Sequence, residues 1–91
     1  MYDQDLTNKW IVEIEFLEDD VHTRASAHAR LRDDTMDTTG DAYRNPRDRS
    51  APMIGEEIAA ARALIALGTD LLVAASAAIE QSTHRPAALY R

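Results

Sequence analysis

The chain has no cysteine, three glycines, three prolines and only 5% aromatic residues. Without cysteine there is no disulfide, no thiolate metal ligand and no thiol nucleophile. The glycines Gly40, Gly55 and Gly68 stand singly, so no glycine-rich loop is available to cradle a phosphate. No basic-then-apolar leader opens the sequence, and no unbroken apolar run approaches the ~20 residues of a membrane span. The expectation is a soluble, cytoplasmic protein with no membrane partner. Net positive charge is lacking as well. Sixteen acids against ten bases leave −6, the opposite of the basic footprint that marks a generic nucleic-acid coat.

What is present is 91 residues, 45% of them hydrophobic and many of those alanine. That is enough for one domain, expected over 9–91 behind a flexible N-terminus at 1–8. A domain of this size buries only ~60–65% of its extended-chain surface, so its stability is marginal or shared with a partner. Charge is unevenly placed. Residues 1–20 hold seven acids and Lys9, which accounts for the whole −6, whereas residues 21–49 hold six arginines against five aspartates. A basic stripe is therefore hidden beneath an acidic total.

Trp10, Val12, Ile14 and Phe16 share one parity while Ile11, Glu13 and Glu15 share the other, the pattern of a strand covered on one face. After Leu17-Glu18-Asp19-Asp20, alternation resumes. Val21, Thr23, Ala25, Ala27, Ala29 and Leu31 fall on one side, with His22, Arg24, Ser26, His28, Arg30 and Arg32 on the other. Thr35 to Tyr43 is a third strand, with Gly40 as a weak point or bulge. Asn45 to Pro52 is a loop, since an Asn-Pro pair and a second proline break regular structure.

From about Met53 to Ser82 the apolar positions Ile54, Ile58, Ala61, Leu64/Ile65, Gly68, Leu71/Leu72, Ala75 and Ala78/Ile79 recur every three or four residues, as on an amphipathic helix. Pro52 precedes its start, and Glu56 and Glu57 are expected on its first turn, near the positive end of the dipole. The expected architecture is α+β: a three-stranded antiparallel meander followed by a long C-terminal helix. Such a helix is roughly 45 Å long, whereas three strands span only ~14 Å of width. Its far end, with Leu71, Leu72, Val73 and Ile79, would overhang. Either the helix breaks at Gly68 or a second chain covers the excess. A homodimer is the favoured solution, with Leu71, Leu72, Val73, Ile79 and Leu89 as its interface.

No catalytic or metal constellation is readable. His22 and His28 lie six residues apart along a strand, about 20 Å, too far to share an ion. The aspartates from Asp33 fail the calcium-loop pattern, because the sixth position is Thr38 and no glutamate closes it. Ser26, Ser50, Ser76 and Ser82 lack a nucleophile elbow. The expectation is a non-enzymatic protein with no cofactor, no metal and no small-molecule substrate. The candidate functional residues are the arginines: Arg24, Arg30 and Arg32 on the second strand, and Arg44, Arg47 and Arg49 on the loop. All six can meet nucleic-acid phosphates; the alternative for Arg24, Arg30 and Arg32 is neutralisation across the sheet by Glu13 and Glu15, and for Arg44, Arg47 and Arg49 an exposed, solvated turn.

The stretch from Asn45-Pro46 through Asp48, Pro52, Ile54-Gly55, Glu57-Ile58-Ala59 and Ala61-Arg62-Ala63-Leu64 resembles the small actinobacterial domain-of-unknown-function proteins with a dsRBD-like fold. Trp10-Ile11-Val12, Thr23-Arg24-Ala25, Ala29-Arg30-Leu31 and Thr83-His84-Arg85-Pro86 extend the likeness over about 9–89. The resemblance implies a strand-rich first half, a long C-terminal helix and a homodimer. It further implies a stress- or dormancy-associated role, through the proposal that such dimers act like ribosome hibernation factors. On that reading the six arginines contact rRNA phosphates. The alternative is a protein–protein interaction module with no nucleic-acid binding.

Overall fold

The computed structural model describes residues 8–84. Its order is β1 (Ile11–Glu18), β2 (His22–Arg30), β3 (Thr35–Tyr43) and α1 (Pro52–Thr83), with the strands forming one antiparallel sheet in the order β1-β2-β3. The α+β meander-then-helix architecture is as the sequence patterns require. Of the expected loose terminus, Asn8 alone is described, and it accepts a hydrogen bond from Arg32 Nη2 at 3.0 Å.

The turns are built by acidic side chains. The Asp19 carboxylate accepts from the backbone N–H groups of Val21 and His22 at 2.9 and 2.8 Å. Those two bonds hold its pKa below the ordinary carboxylate value. Asp34 accepts likewise from the Thr35 N–H at 2.8 Å. With both turns fixed, β1 pairs with β2 so that Ile14 faces Ala27, and β2 pairs with β3 so that Ala25 faces Gly40. No bulge interrupts β3 at Gly40: its register is continuous from Thr35 to Tyr43.

Gly40 has a different purpose. A Cβ there would overlap the backbone of Ala59, Arg62 and Ala63, so the bare glycine lets the helix lie directly on the sheet. The alanines of β2 serve the same closeness. Ala25, Ala27, Ala59 and Ala63 are fully buried and, with Ala42, form the core, with Ile14 packed against it. Thr38 Oγ1 donates to the Ala63 carbonyl at 2.8 Å across this contact. The sheet-facing row of α1 is Gly55, Ala59, Ala63 and Leu67, spaced by four; Gly55 sits over Thr23. The Ile54–Ile58–Ile65–Leu72 row expected to face the core is turned away instead. Narrow residues make the contact because only they allow backbone-to-backbone approach.

α1 is unbroken. Gly68 neither kinks it nor touches the sheet, and a Cβ added there would meet nothing within 4 Å. Along the sheet-facing side burial stops at Leu67, and Asp70 and Ala74 are exposed. The thirteen residues Leu71–Thr83 therefore project past the sheet by about 20 Å. The helix begins at Pro52, so Glu56 and Glu57 fall after its first turn, which carries no acid. It ends on His84 in the left-handed conformation, whose N–H donates to the Glu80 carbonyl at 2.7 Å.

Candidate interaction surfaces

Because α1 packs on β2 and β3, β1 is left nearly bare. Its apolar row points to the same side as the helix, yet only Ile14 is half-buried; Trp10 is 52% exposed, Val12 41% and Phe16 37%. The expectation of a strand covered on one face fails here, because one helix is too narrow to span three strands. β1 is also an edge strand, with one side unpaired among the described residues. On the overhang, Leu72, Val73 and Ile79 are exposed and Leu71 is half-buried, while Leu89 lies outside the described residues. Ser76 is buried, and its Oγ has no partner among the described residues.

The opposite face of the sheet is polar, and His22, Arg24 and His28 on it are paired with acids. Arg24 Nε and Nη2 donate to the Asp41 carboxylate at 2.8 and 3.4 Å, and His22 Nε2 shares Asp41 Oδ1 at 2.7 Å. The His22 ring also stacks on Tyr43, centroid to centroid 4.5 Å. Arg24 and His22 together hold the Asp41 carboxyl below its ordinary range, and Asp41 in turn raises Arg24. His28 Nδ1 meets Asp37 at 2.6 Å, and its Nε2 lies 3.5 Å from Glu15. Chiefly through Asp37, the His28 pKa is raised above 6.5. The neutralising acids for Arg24 and His22 thus come from β3, not from Glu13 and Glu15. The register explains it: Leu17, not a glutamate, stands opposite Arg24, and Asp41 faces it from the other side.

The structure therefore divides the six candidate arginines. Arg24 is committed to Asp41 and Arg32 to Asn8. Arg44 is a clamp: its guanidinium donates to the backbone carbonyls of Asp20, Asn45, Pro46 and Asp48, tying the β1–β2 turn to the loop after β3. Arg30, Arg47 and Arg49 have no hydrogen-bonding or ionic side-chain partner among the described residues. Arg30 sits on β2 and the other two on the exposed loop, so the six do not form one stripe.

A cleft of about 480 Å³ opens between that loop, the β1–β2 turn and the start of α1, lined among others by Val21, Thr23, Tyr43, Arg49 and Ile58. At its edge Glu18 and Glu56 share a hydrogen bond, and this raises the Glu56 pKa because two carboxylates so close resist ionising together. No group of three metal-ligating side chains comes together among the described residues. By length and composition alone α1 is apolar enough to cross a membrane. The sequence expectation rested on unbroken runs, which Arg62 and Asp70 interrupt.

The family model for Rv2632c-like proteins matches residues 8–88. The chain belongs to the Rv2632c-like family. Among its relatives is the uncharacterized protein Mb1767 of Mycobacterium bovis, 42% identical over 80 residues, covering 88% of this chain and 85% of that one. The uncharacterized Rv2632c of Mycobacterium tuberculosis is 41% identical over 69 residues, covering 76% and 74%. The crystal structure of Rv2632c superposes with a TM-score of 0.81 at 33% identity, covering 92% of this chain and all of that one. The family is thus one of mycobacterial proteins of unknown function sharing this fold.

Proposed function

We propose that the protein catalyses no reaction and acts in the cytoplasm as a homodimeric interaction module, without cofactor, membrane or small-molecule substrate. The observation that carries this reading is the amount of exposed apolar surface among the described residues: the β1 row of Trp10, Val12 and Phe16 together with Leu72, Val73 and Ile79 on the projecting end of α1. Patches of that kind mark protein contacts on soluble domains. The polar sheet face supports it by contrast, since three of its cations, His22, Arg24 and His28, are already paired with acids and offer little to an anionic partner. Sedimentation of the full chain at micromolar concentration tests the dimer, and a clean monomer refutes it.

A second reading draws on Arg30, Arg47 and Arg49, whose guanidiniums are unengaged among the described residues. They support a stress- or dormancy-associated, ribosome-bound role for a dsRBD-like dimer, with rRNA phosphates as the contacts. Ribosome binding that weakens as salt rises, and that Arg47→Ala with Arg49→Ala reduces, supports this role. Binding that is absent at low salt rules it out.

A further inference from the structure

α1 carries two apolar rows, and among the described residues the sheet supplies a partner for only one. The second row is Ile54, Ile58, Ala61, Ile65, Gly68, Leu72, Ala75 and Ile79. Its steps alternate between four and three residues, a seven-residue repeat, and at ~100° per residue it lies well away from the sheet-facing row. Ile54, Ile58, Ile65, Leu72 and Ile79 are all 39% exposed or more, Ile65 reaching 69%. These five side chains expose on the order of 500 Å², against the ~800 Å² that each partner contributes to a standard interface. Leu72 and Ile79 of the sequence-predicted interface belong to this row, while Leu71 and Val73 flank it.

The order of sizes along the row identifies what covers it. One class of position is large throughout: Ile58, Ile65, Leu72 and Ile79. The other class opens with Ile54 at its outer end and is small thereafter: Ala61, Gly68 and Ala75, so that only the outermost pair, Ile54 with Ile79, is large on both sides. A parallel partner helix would set large against large and small against small in successive layers. An antiparallel copy does the reverse, because its layers join the two classes. Ile65 then meets Gly68 of the second copy, Ile58 meets Ala75, and Leu72 meets Ala61. Gly68 supports this independently. A mid-helix glycine costs ~1 kcal/mol relative to alanine, yet among the described residues nothing lies within 4 Å of where its Cβ would be. A second helix backbone crossing there gives it a use. The same alignment lays Leu71–Thr83 of each copy beside the sheet-bearing half of the other, which covers both overhangs at once.

We infer that two copies of this chain pair through α1 in antiparallel fashion about a two-fold axis between Ile65 and Gly68. The inference rests on the homodimer reading and specifies its geometry. The absence of native cysteine makes the test clean. In the full chain, Ile58→Cys and Ala75→Cys combined should give a disulfide-linked dimer on mild oxidation, because residue 58 of each copy faces residue 75 of the other. Either substitution alone should give none, since like residues then lie about 25 Å apart. Gly68→Leu should weaken self-association about tenfold or more while leaving the helical circular dichroism signal intact. Self-linking by Ile58→Cys alone would show parallel pairing and overturn the inference. So would a sedimenting dimer that the double variant fails to cross-link, although the dimer itself would stand. A monomeric native chain overturns both.

Discussion

The two halves of α1 are made of similar residues and live in different surroundings. From Pro52 to Leu67 the helix lies on β2 and β3 through glycine and alanine, close enough that Thr38 bonds a helix carbonyl and Gly40 can bear no side chain. From Gly68 to Thr83 it has no sheet beneath it. Composition does not distinguish the halves, since both are rich in alanine and leucine. What differs is whether small residues stand opposite it on the sheet. Ala25, Ala27 and Gly40 form a floor under the first half, and the sheet ends before the second. Alanine is thus a core residue in one half and a solvent-facing one in the other.

One substitution made in both halves tests this contrast most severely. Ala63→Leu forces three extra heavy atoms into a fully buried contact and should cost about 3 kcal/mol. Ala74→Leu, on the same side of the helix three turns later and exposed, should change stability by no more than about 0.5 kcal/mol. Urea denaturation of both variants decides it; equal losses would mean that the far half is packed as tightly as the near one. Next in size, Thr38→Val removes the hydroxyl that reaches the Ala63 carbonyl and should cost about 1 kcal/mol in the same assay. No substitution in Leu71–Thr83 has an equivalent sheet contact to lose.

The smallest expected effect lies on the other face of the sheet and depends on pH. His28 has a folded-state pKa above its ordinary 6.5, so its pairing with Asp37 stabilises fully below about pH 6.5. That contribution fades as pH rises through the raised value. Thermal midpoints between pH 5.5 and 8.5 should therefore fall slightly with rising pH in the native chain. His28→Gln should remove this component of the slope, and an unchanged slope would show that the pairing contributes nothing to folding.

Much of this architecture is legible in the sequence, because alternation and three-four spacing are direct consequences of strand and helix geometry. Trp10 to Phe16, Val21 to Leu31 and the helix after Pro52 all declare themselves this way, while Thr35 to Tyr43 is marked by its threonines. The face of the helix that docks does not. The isoleucine-rich row is the stronger hydrophobic signal, and only the coincidence of Ala25, Ala27 and Ala29 on β2 with Gly40 on β3 hints that the sheet requires a narrow partner. The arginine stripe is misleading for a related reason. Residue parity places Arg24 on the polar face correctly, but its partner Asp41 follows from the register between β2 and β3, which depends on two turns at once. Arg44 is beyond such reading altogether, since its role as a clamp arises from four carbonyls that the fold brings together.

Trp10 has a practical consequence of its own. It is the chain's single tryptophan, half exposed at the start of the uncovered β1 row. Its indole is therefore a native optical probe of that surface. Any protein that settles on β1 will exchange water for side chains around the ring and shift its emission to shorter wavelength. Contact confined to the isoleucine row of α1 will leave it dark to the event. The two surfaces can be told apart in one cuvette, without a label.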